Sequence, residues 1–377
     1  MKRNIALVAS LSLILLSLFL ISLGCGSVSS SGGNGSSPTP PAVHTIYSSS
    51  DASSTLMGLV IQGTNVFVAF ETNSKRLCLL KSTNEGDSFY SVTCEANGTN
   101  GRIRAAINDN SILYIPHRYY DGTHYFGMSS IEAASATSFD NGLVFSIPRV
   151  VGCLDIATSG PSFFLPYTAD GEVRFVTNAG FSGIFTGDTG GLNEGGLSGQ
   201  WPGAATLEVA HVNYYPSVTP STELVFHVAH DVPTCSWIRK VLVATNEVVR
   251  NIDIESAENW AGICFYKGQN LYTMFSDDSG DTWSTPKLIA AADNDMTSMA
   301  FSTTYANCVF IGENQKDVRL ARSTDGINWT VQTLVSTDTV SDKYPEIQAS
   351  GNTIIIIYRT GDGIFMLRSL DDGASWT

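Results

Sequence analysis

The sequence predicts an all-β chain folded as a β-propeller of four-stranded antiparallel blades, and three observations predict it. A short motif recurs as Ser276-Asp-Asp-Ser-Gly-Asp-Thr-Trp283, Ser323-Thr-Asp-Gly-Ile-Asn-Trp329 and Ser369-Leu-Asp-Asp-Gly-Ala-Ser-Trp376, with starts 47 and 46 residues apart, and a related copy, Ser82-Thr-Asn-Glu-Gly-Asp-Ser-Phe89, stands near the front. Between the copies, a strand carrying small residues is repeatedly followed by a turn and a β-branched or aromatic strand. No stretch beyond the first 25 residues sustains a 3.6-residue apolar period. A period in the forties built from strands is the signature of a propeller.

Composition narrows the class. The chain has 377 residues, 43% hydrophobic and 15% charged, with 34 Gly and 13 Pro. That is enough apolar residue to build a core, so general disorder is excluded. The length allows two ordinary domains or one large repeat array. Its net charge of −14 and lack of a basic stripe argue against nucleic acid as a partner, because affinity there rests on neutralising phosphates.

Residues 1–24 read as an export signal. Lys2 and Arg3 precede an apolar run from Ile5 to Leu23, and Gly24-Cys25 follows. The segment resembles a bacterial lipoprotein signal, in which Cys25 is lipidated and becomes the first mature residue. Ser22 departs from the Leu preferred there, whereas Leu23 and Gly24 fit. Gly26, rather than Asp, follows the Cys, which favours the outer membrane, with the chain facing the periplasm or the cell surface. The alternative is an uncleaved anchor, since a predominantly apolar run of 19 residues just spans a bilayer. Residues 25–42 are rich in Ser, Gly and Pro and form a flexible tether. The propeller is expected over 43–377.

Seven strand pairs follow: 56–63 with 64–71, 103–109 with 110–118, 153–160 with 161–168, 207–213 with 223–231, 261–268 with 269–275, 298–306 with 307–314, and 346–351 with 352–359. Their first strands carry Gly58, Ala105, Ala157, Ala210, Ala261, Ala300 and Ala349, as expected where strands converge on an axis. Seven pairs predict seven blades. Six is the alternative, because the fourth unit carries insertions and the fifth is short enough to lack a strand. No strand follows Trp376, and Val43–Ser48 has the character of the missing one. It is expected to complete the last blade, unless the chain is a fragment whose continuation supplies that strand.

Within the recurring motif, Ser and Asp oxygens accept hydrogen bonds from nearby amides. Gly supplies positive φ, and the aromatic returns the chain to the core. Ser276, Asp278, Gly280, Trp283, Ser323, Asp325, Gly326, Trp329, Ser369, Asp371, Gly373 and Trp376 are therefore read as structural. These segments resemble the Asp-box (BNR) repeats of the sialidase-like propellers; the Ser323 copy is one residue short between Asp325 and Gly326.

Six cysteines remain beyond Cys25, and no Cys-x-x-Cys occurs, so neither a metal nor a redox site is expected. Cys78 and Cys94 are equidistant from the turn at Gly86, which places them opposite one another on neighbouring strands and predicts a disulfide. The glycine-rich stretch Gly187–Gly199 lacks a Lys-Ser/Thr and a following helix, and reads as a loop rather than a phosphate cradle. His227 and His230 are three apart on a predicted strand and point to opposite faces, so they do not share a metal. No cofactor is expected.

Ligand chemistry is sought at the channel mouth, opposite the motif turns. The strand ends there carry Glu71, then His117-Arg118-Tyr119-Tyr120-Asp121, Tyr167, His230-Asp231, Glu313 and Tyr358-Arg359, with Tyr344-Pro345-Glu346 on the same side. Aromatic faces, carboxylates and Arg suit a sugar or a peptide. The resemblance to sialidases implies three Arg clamping a carboxylate, a Tyr–Glu nucleophile pair and an acidic Asp. Arg118, Arg359, Tyr344 and Glu346 match parts of that set. Neither an Arg-Ile-Pro segment nor a third well-placed Arg is present; Arg102-Ile103-Arg104 and Ile147-Pro148-Arg149 only approach it. The expectation is a tethered, non-catalytic binding module for a glycan or protein. The alternatives are an exo-acting glycoside hydrolase and a scaffold for envelope assembly.

Overall fold

The computed structural model describes residues 41–48, 57–74, 76–95, 103, 105–107, 111–118, 126–132, 140–144, 151–154, 156–159, 162–169, 172–177, 182–189, 197–203, 206–214, 219, 221–230, 237–257, 259–292, 296–312, 317–336, 343–360 and 363–377. The export segment, Cys25 and the tether up to residue 40 lie outside them. Every regular element described is a β-strand, and one compact unit spans Pro40–Thr377. No helix among the described residues is long and apolar enough to cross a membrane.

Among the described residues the strands fall into seven antiparallel sheets in chain order. The first sheet holds Gly58–Gln62, Asn65–Glu71, Leu77–Ser82 and Tyr90–Glu95. The second holds Ala106–Ile107, Ile112–Arg118, Phe126–Glu132 and Asp140–Val144. In the third, Val151–Leu154 and Ala157–Ser159 both pair with Ser162–Ala169, followed by Glu172–Thr177 and Ser182–Thr189. The fourth holds Leu197–Gly203, Thr206–Tyr214, Thr222–Ala229 and Ile238–Thr245, and the fifth Val249–Ala257, Trp260–Lys267, Asn270–Ser276 and Lys287–Ala291. The sixth holds Thr297–Phe301, Ala306–Ile311, Asp317–Ser323 and Thr330–Ser336. The seventh takes Lys343–Ser350, Thr353–Thr360 and Gly363–Ser369 from the end of the chain and His44–Ser48 from its front, with Ser48 opposite Gly363. First strands of successive sheets touch, and Gly58–Gln62 touches Lys343–Ser350, so the first strands close a ring.

Apolar clusters fill the spaces between sheets, and strand alternation explains them. Of the run Ile354–Ile357, Ile354 and Ile356 pack against the sixth sheet, whereas Ile355 and Ile357 pack against the first. A strand covered on both faces has no polar side, so its sequence reads as an unbroken apolar run. All four side chains are fully buried, each contributing about 2 kcal/mol of transfer free energy. The front strand alternates likewise: Val66, Val68 and Phe70 face the seventh sheet, and Phe67 and Ala69 the second.

Two expected strand pairs are offset. Residues 207–213 with 223–231, and 261–268 with 269–275, supply second and third strands rather than first and second. Ala210 and Ala261 therefore sit one strand out from the axis, where Leu197–Gly203 and Val249–Ala257 are innermost. The fifth unit lacks no strand. Gly187–Gly199 is not a loop throughout: Gly187 lies in Ser182–Thr189 and Gly199 in Leu197–Gly203.

Three of the recurring turns join third and fourth strands, and the one at Ser369 follows the third strand of the seventh sheet, whose fourth strand comes from the front of the chain. In the turn at Ser276, the Oγ accepts from the Gly280 amide at 2.8 Å and donates to Asp278 at 2.8 Å, while Asp278 accepts from the Thr282 amide and hydroxyl, both at 2.7 Å. The Thr282 contacts hold the Asp278 carboxyl down to about 2. Ser369 and Asp371 repeat this with Gly373 and Ser375, and Ser82 and Asn84 with Gly86 and Ser88. The residue before each glycine is left-handed too: Glu85, Ser279 and Asp372 at φ 56°, 57° and 56°. The short copy omits that residue, so Gly326 alone takes positive φ, and Asp325 accepts from Ile327 and Asn328.

Each turn glycine also meets the preceding sheet. A Cβ at Gly280 would stand 2.6 Å from the Phe226 ring, at Gly326 2.4 Å from Phe275, and at Gly373 2.7 Å from the Arg322 guanidinium. The turns thus pin neighbouring sheets together as well as closing hairpins.

Candidate functional site

Strand alternation sorts the connections onto two faces. The motif turns and the hairpins between first and second strands share one, here the turn face. The connections between second and third strands, and from one sheet to the next, share the other, the mouth face. Glu71 ends the second strand of the first sheet on the mouth face and is buried, with the Thr72 amide bonded to the Arg76 carbonyl at 2.9 Å beside it. His117 and Arg118 end the second strand of the second sheet on the same face. Their side chains, and Tyr119, Tyr120, Asp121, Asp231 and Glu313, lie outside the described residues.

The third sheet contributes a pair. Tyr167 and Arg174 are cross-strand partners, and their side chains are hydrogen-bonded. Burial raises the Tyr167 phenol above its ordinary range, and the guanidinium opposes that rise. The seventh sheet contributes Tyr344, Glu346, Tyr358 and Arg359. The pairing slips between Lys343 opposite Arg359 and Glu346 opposite Ile357. Within that bulge, Tyr344 holds φ 58°, a left-handed conformation uncommon for a bulky aromatic. Burial lowers the Arg359 pKa while the nearby Tyr344 phenol opposes the fall. Glu346 is buried, and Tyr358 turns inward to stack on Phe365.

His230 is a correction. It follows a third strand rather than a second, so it lies on the turn face, exposed, with its Nε2 3.5 Å from Asp281 in the next sheet's turn. The error follows from the offset of the fourth unit. His227 is buried and meets His211 across the second and third strands, Nε2 to Nε2 at 3.1 Å. Among the described residues, no three His, Cys, Asp or Glu side chains are grouped to hold a metal ion.

Sequence reasoning missed three arginines at mouth-face strand ends: Arg174, Arg250 and Arg319. Arg319 bonds Asp317 at 3.3 Å. A signal was available, since Glu172-Val-Arg174 and Asp317-Val-Arg319 open third strands with the same pattern. Cys78 and Cys94 are register partners joined by a disulfide, and Cys264 and Cys308 are buried free thiols sharing the Thr297 hydroxyl.

No family model and no curated protein matches the chain. Solved structures do. An ulvan lyase of a polysaccharide lyase family, bound to a GlcA–Rha3S repeat, is 9% identical with a TM-score of 0.55, over 88% of this chain and 94% of that one. The six-bladed fucose lectin of Aleuria aurantia is 10% identical with a TM-score of 0.51, over 78% of this chain and 99% of that one. A protein of unknown function from Dyadobacter fermentans is 10% identical with a TM-score of 0.53, over 88% of this chain and 98% of that one. At such identities the likeness shows the fold alone, and the chain is an all-β propeller.

Proposed function

We propose that the chain is a non-catalytic glycan-binding module whose mouth face takes acidic sugar units, displayed from the outer membrane on the 25–42 tether by lipid on Cys25. The observation that carries this reading is the set of arginines at mouth-face strand ends, two of them set against tyrosines: Arg174 with Tyr167, and Arg359 with Tyr344. In a chain of net charge −14, cations gathered at one end of the strands have a local use. A guanidinium presents a planar fork of donors that matches a carboxylate or sulfate, and a tyrosine ring offers a face to the sugar. The lyase of similar fold holds a repeat containing a uronic acid and a sulfated sugar, which supports that ligand class. We take each sheet as one blade of a seven-bladed ring. The seven hydrogen-bonded sheets support this reading, whereas the lectin of similar fold is six-bladed. The motif turns carry the Asp-box resemblance.

Affinity electrophoresis tests the reading. Polygalacturonate or dextran sulfate in the gel retards the protein, neutral dextran does not, and Arg359→Ala and Arg174→Ala each weaken the retardation several-fold. Equal migration in acidic and neutral gels overturns it. Cys25→Ala moves the protein from the membrane to the soluble fraction if the anchor is as proposed.

One observation favours a second reading as a glycan-cleaving enzyme. Glu346 is a buried carboxylate two residues from the strained Tyr344 and opposite the strand that ends in Arg359. New reducing ends released from the same polysaccharides, and lost in Glu346→Gln, replace binding by catalysis.

A further inference from the structure

A cleft of about 510 Å³ opens on the turn face between the fifth and sixth sheets, away from the mouth. Trp260, which begins the second strand of the fifth sheet, forms one wall. The hairpin Phe301–Ala306 and the start of the turn at Ser323 form the other. The volume falls in the range of about 300–1,000 Å³ typical of small-molecule sites.

Its origin lies in one position. Arg322 and Arg368 each stand just before a motif serine, and each reaches the next sheet's turn: Arg322 to the Gly373 carbonyl at 3.2 Å, Arg368 to Asp87 at 3.2 Å. The equivalent residue of the fifth sheet is Phe275, which brings no charge to the Ser323 turn. That turn is also the copy shortened by one residue. Phe275 gathers Trp260 at 6.2 Å, Phe301 at 5.9 Å and Trp329 at 5.8 Å between ring centroids. An aromatic cluster, of which Trp260 and Phe301 reach the cleft, replaces a cation.

The lining chemistry is specific. Its ten residues include Trp260, Phe301 and Tyr305 together with five Ser or Thr, and none carries a charged side chain. Trp260 is 38% exposed. One side of the Tyr305 ring is stacked on the Arg322 guanidinium at 3.8 Å. The hairpin is pinned before any ligand arrives: Thr303 donates its amide to the Gly351 carbonyl at 3.0 Å, and Thr304 to Asp372 at 3.1 Å. Fixed walls spare a ligand the cost of ordering them.

We propose that this cleft is a second binding site, for a neutral pyranose ring. The C–H face of such a sugar is weakly positive and meets the negative face of the Trp260 indole. Its hydroxyls exchange hydrogen bonds with the threonine rim of Thr303, Thr304 and Thr324. The lining itself carries no charged side chain, and the Arg322 guanidinium behind it is taken up by the Tyr305 ring and the Gly373 carbonyl, so an acidic sugar gains little here and the two faces of the molecule take different classes of ligand.

Saturation-transfer NMR on the purified protein tests this with the methyl glycosides of glucose, galactose, mannose and fucose at millimolar concentration. At least one receives saturation on its ring protons. Trp260→Ala lowers that signal about tenfold, Trp260→Phe restores part of it, and Thr324→Trp, which fills the cleft from the opposite wall, abolishes it. Circular dichroism confirms that each variant is folded. Absence of transfer to all four glycosides, or a signal undiminished in folded Trp260→Ala and Thr324→Trp, overturns the proposal. Retardation by acidic polysaccharides is a separate readout, so failure here leaves the mouth-face reading standing, and the reverse.

Discussion

Arg368 and Asp87 are 281 residues apart in sequence and 3.2 Å apart in space. Arg368 ends the third strand of the seventh sheet, and Asp87 sits in the turn of the first. The same guanidinium reaches the Glu85 carbonyl at 3.5 Å. This contact, with the pairing of His44–Ser48 along Gly363–Ser369, joins the two ends of the ring. Its two halves differ in exposure: the Arg368 side chain is 12% exposed and Asp87 63%. Arg368→Ala is expected to cost about 1–2 kcal/mol by urea unfolding, through the lost carbonyl contact and packing. Asp87→Ala is expected to cost less than about 0.5 kcal/mol, as an exposed pair does. Equal losses would show that the ion pair, rather than the backbone contact, closes the ring.

The motif serine is expected to matter more than the motif acid. Ser276 Oγ satisfies the buried Gly280 amide, which Ala cannot do. Ser276→Ala should cost about 1–3 kcal/mol, the range for leaving a buried donor unpaired. Gly280→Ala should be at least as costly, because φ there is 84° and the new methyl would stand 2.6 Å from the Phe226 ring. Thermal unfolding of the two variants ranks them, and a Ser276→Ala protein as stable as the parent would mean that the turn is held by Asp278 alone.

Where strands alternate apolar residues into two covered faces, their place was readable: Ile354–Ile357 announces a buried strand. Val249–Ala257 was missed because its alternation is half polar. Ile252 and Ile254 face the fourth sheet, but Asn251 and Asp253 are buried on the other side, and Asp253 accepts from the Met299 amide at 2.8 Å. A polar residue satisfied across a sheet interface looks in sequence like an exposed one. Leu197–Gly203 was missed for a simpler reason, since its glycines read as turn. Those two omissions displaced the fourth and fifth units by a strand and put His230 on the wrong face. The aromatic cleft was not legible at all: it depends on Phe275 standing where Arg322 and Arg368 stand in later repeats, and on which sheet packs against which.

The Cys78–Cys94 bond joins adjacent strands across a 16-residue separation. Closing a loop of that length in the unfolded chain is worth about 3 kcal/mol in the chain-entropy account. Cys78→Ala with Cys94→Ala should lower stability by about that much, and a reducing agent should produce the same loss in the parent and none in the double variant. A parent insensitive to reduction, with the thiols shown to be free afterwards, would place the stability of the first sheet in its packing instead.

Glu208 sets the high-pH side of stability. It is fully buried in the second strand of the fourth sheet, and burial raises its carboxyl from 4.5 to about 7 against a hydrogen bond from Ser256. The folded state therefore holds the proton more tightly than the unfolded chain does. The stability this contributes is complete below about 4.5 and is lost as pH rises through about 7, a loss of roughly 3 kcal/mol. Asp278 and Asp371 work in the opposite direction. Both are held down to about 2, Asp278 by Thr282 and Asp371 by Ser375, so their contribution is present above 3.8 and fades as pH falls through about 2. Stability should peak between these windows. Glu208→Gln keeps the shape and a partner for Ser256 but removes the titration. It should match the parent at pH 4.5 and exceed it at pH 8, flattening the alkaline limb of a Tm-against-pH profile while leaving the acid limb in place. A variant whose profile still falls between pH 5 and 8 would assign that limb to another group.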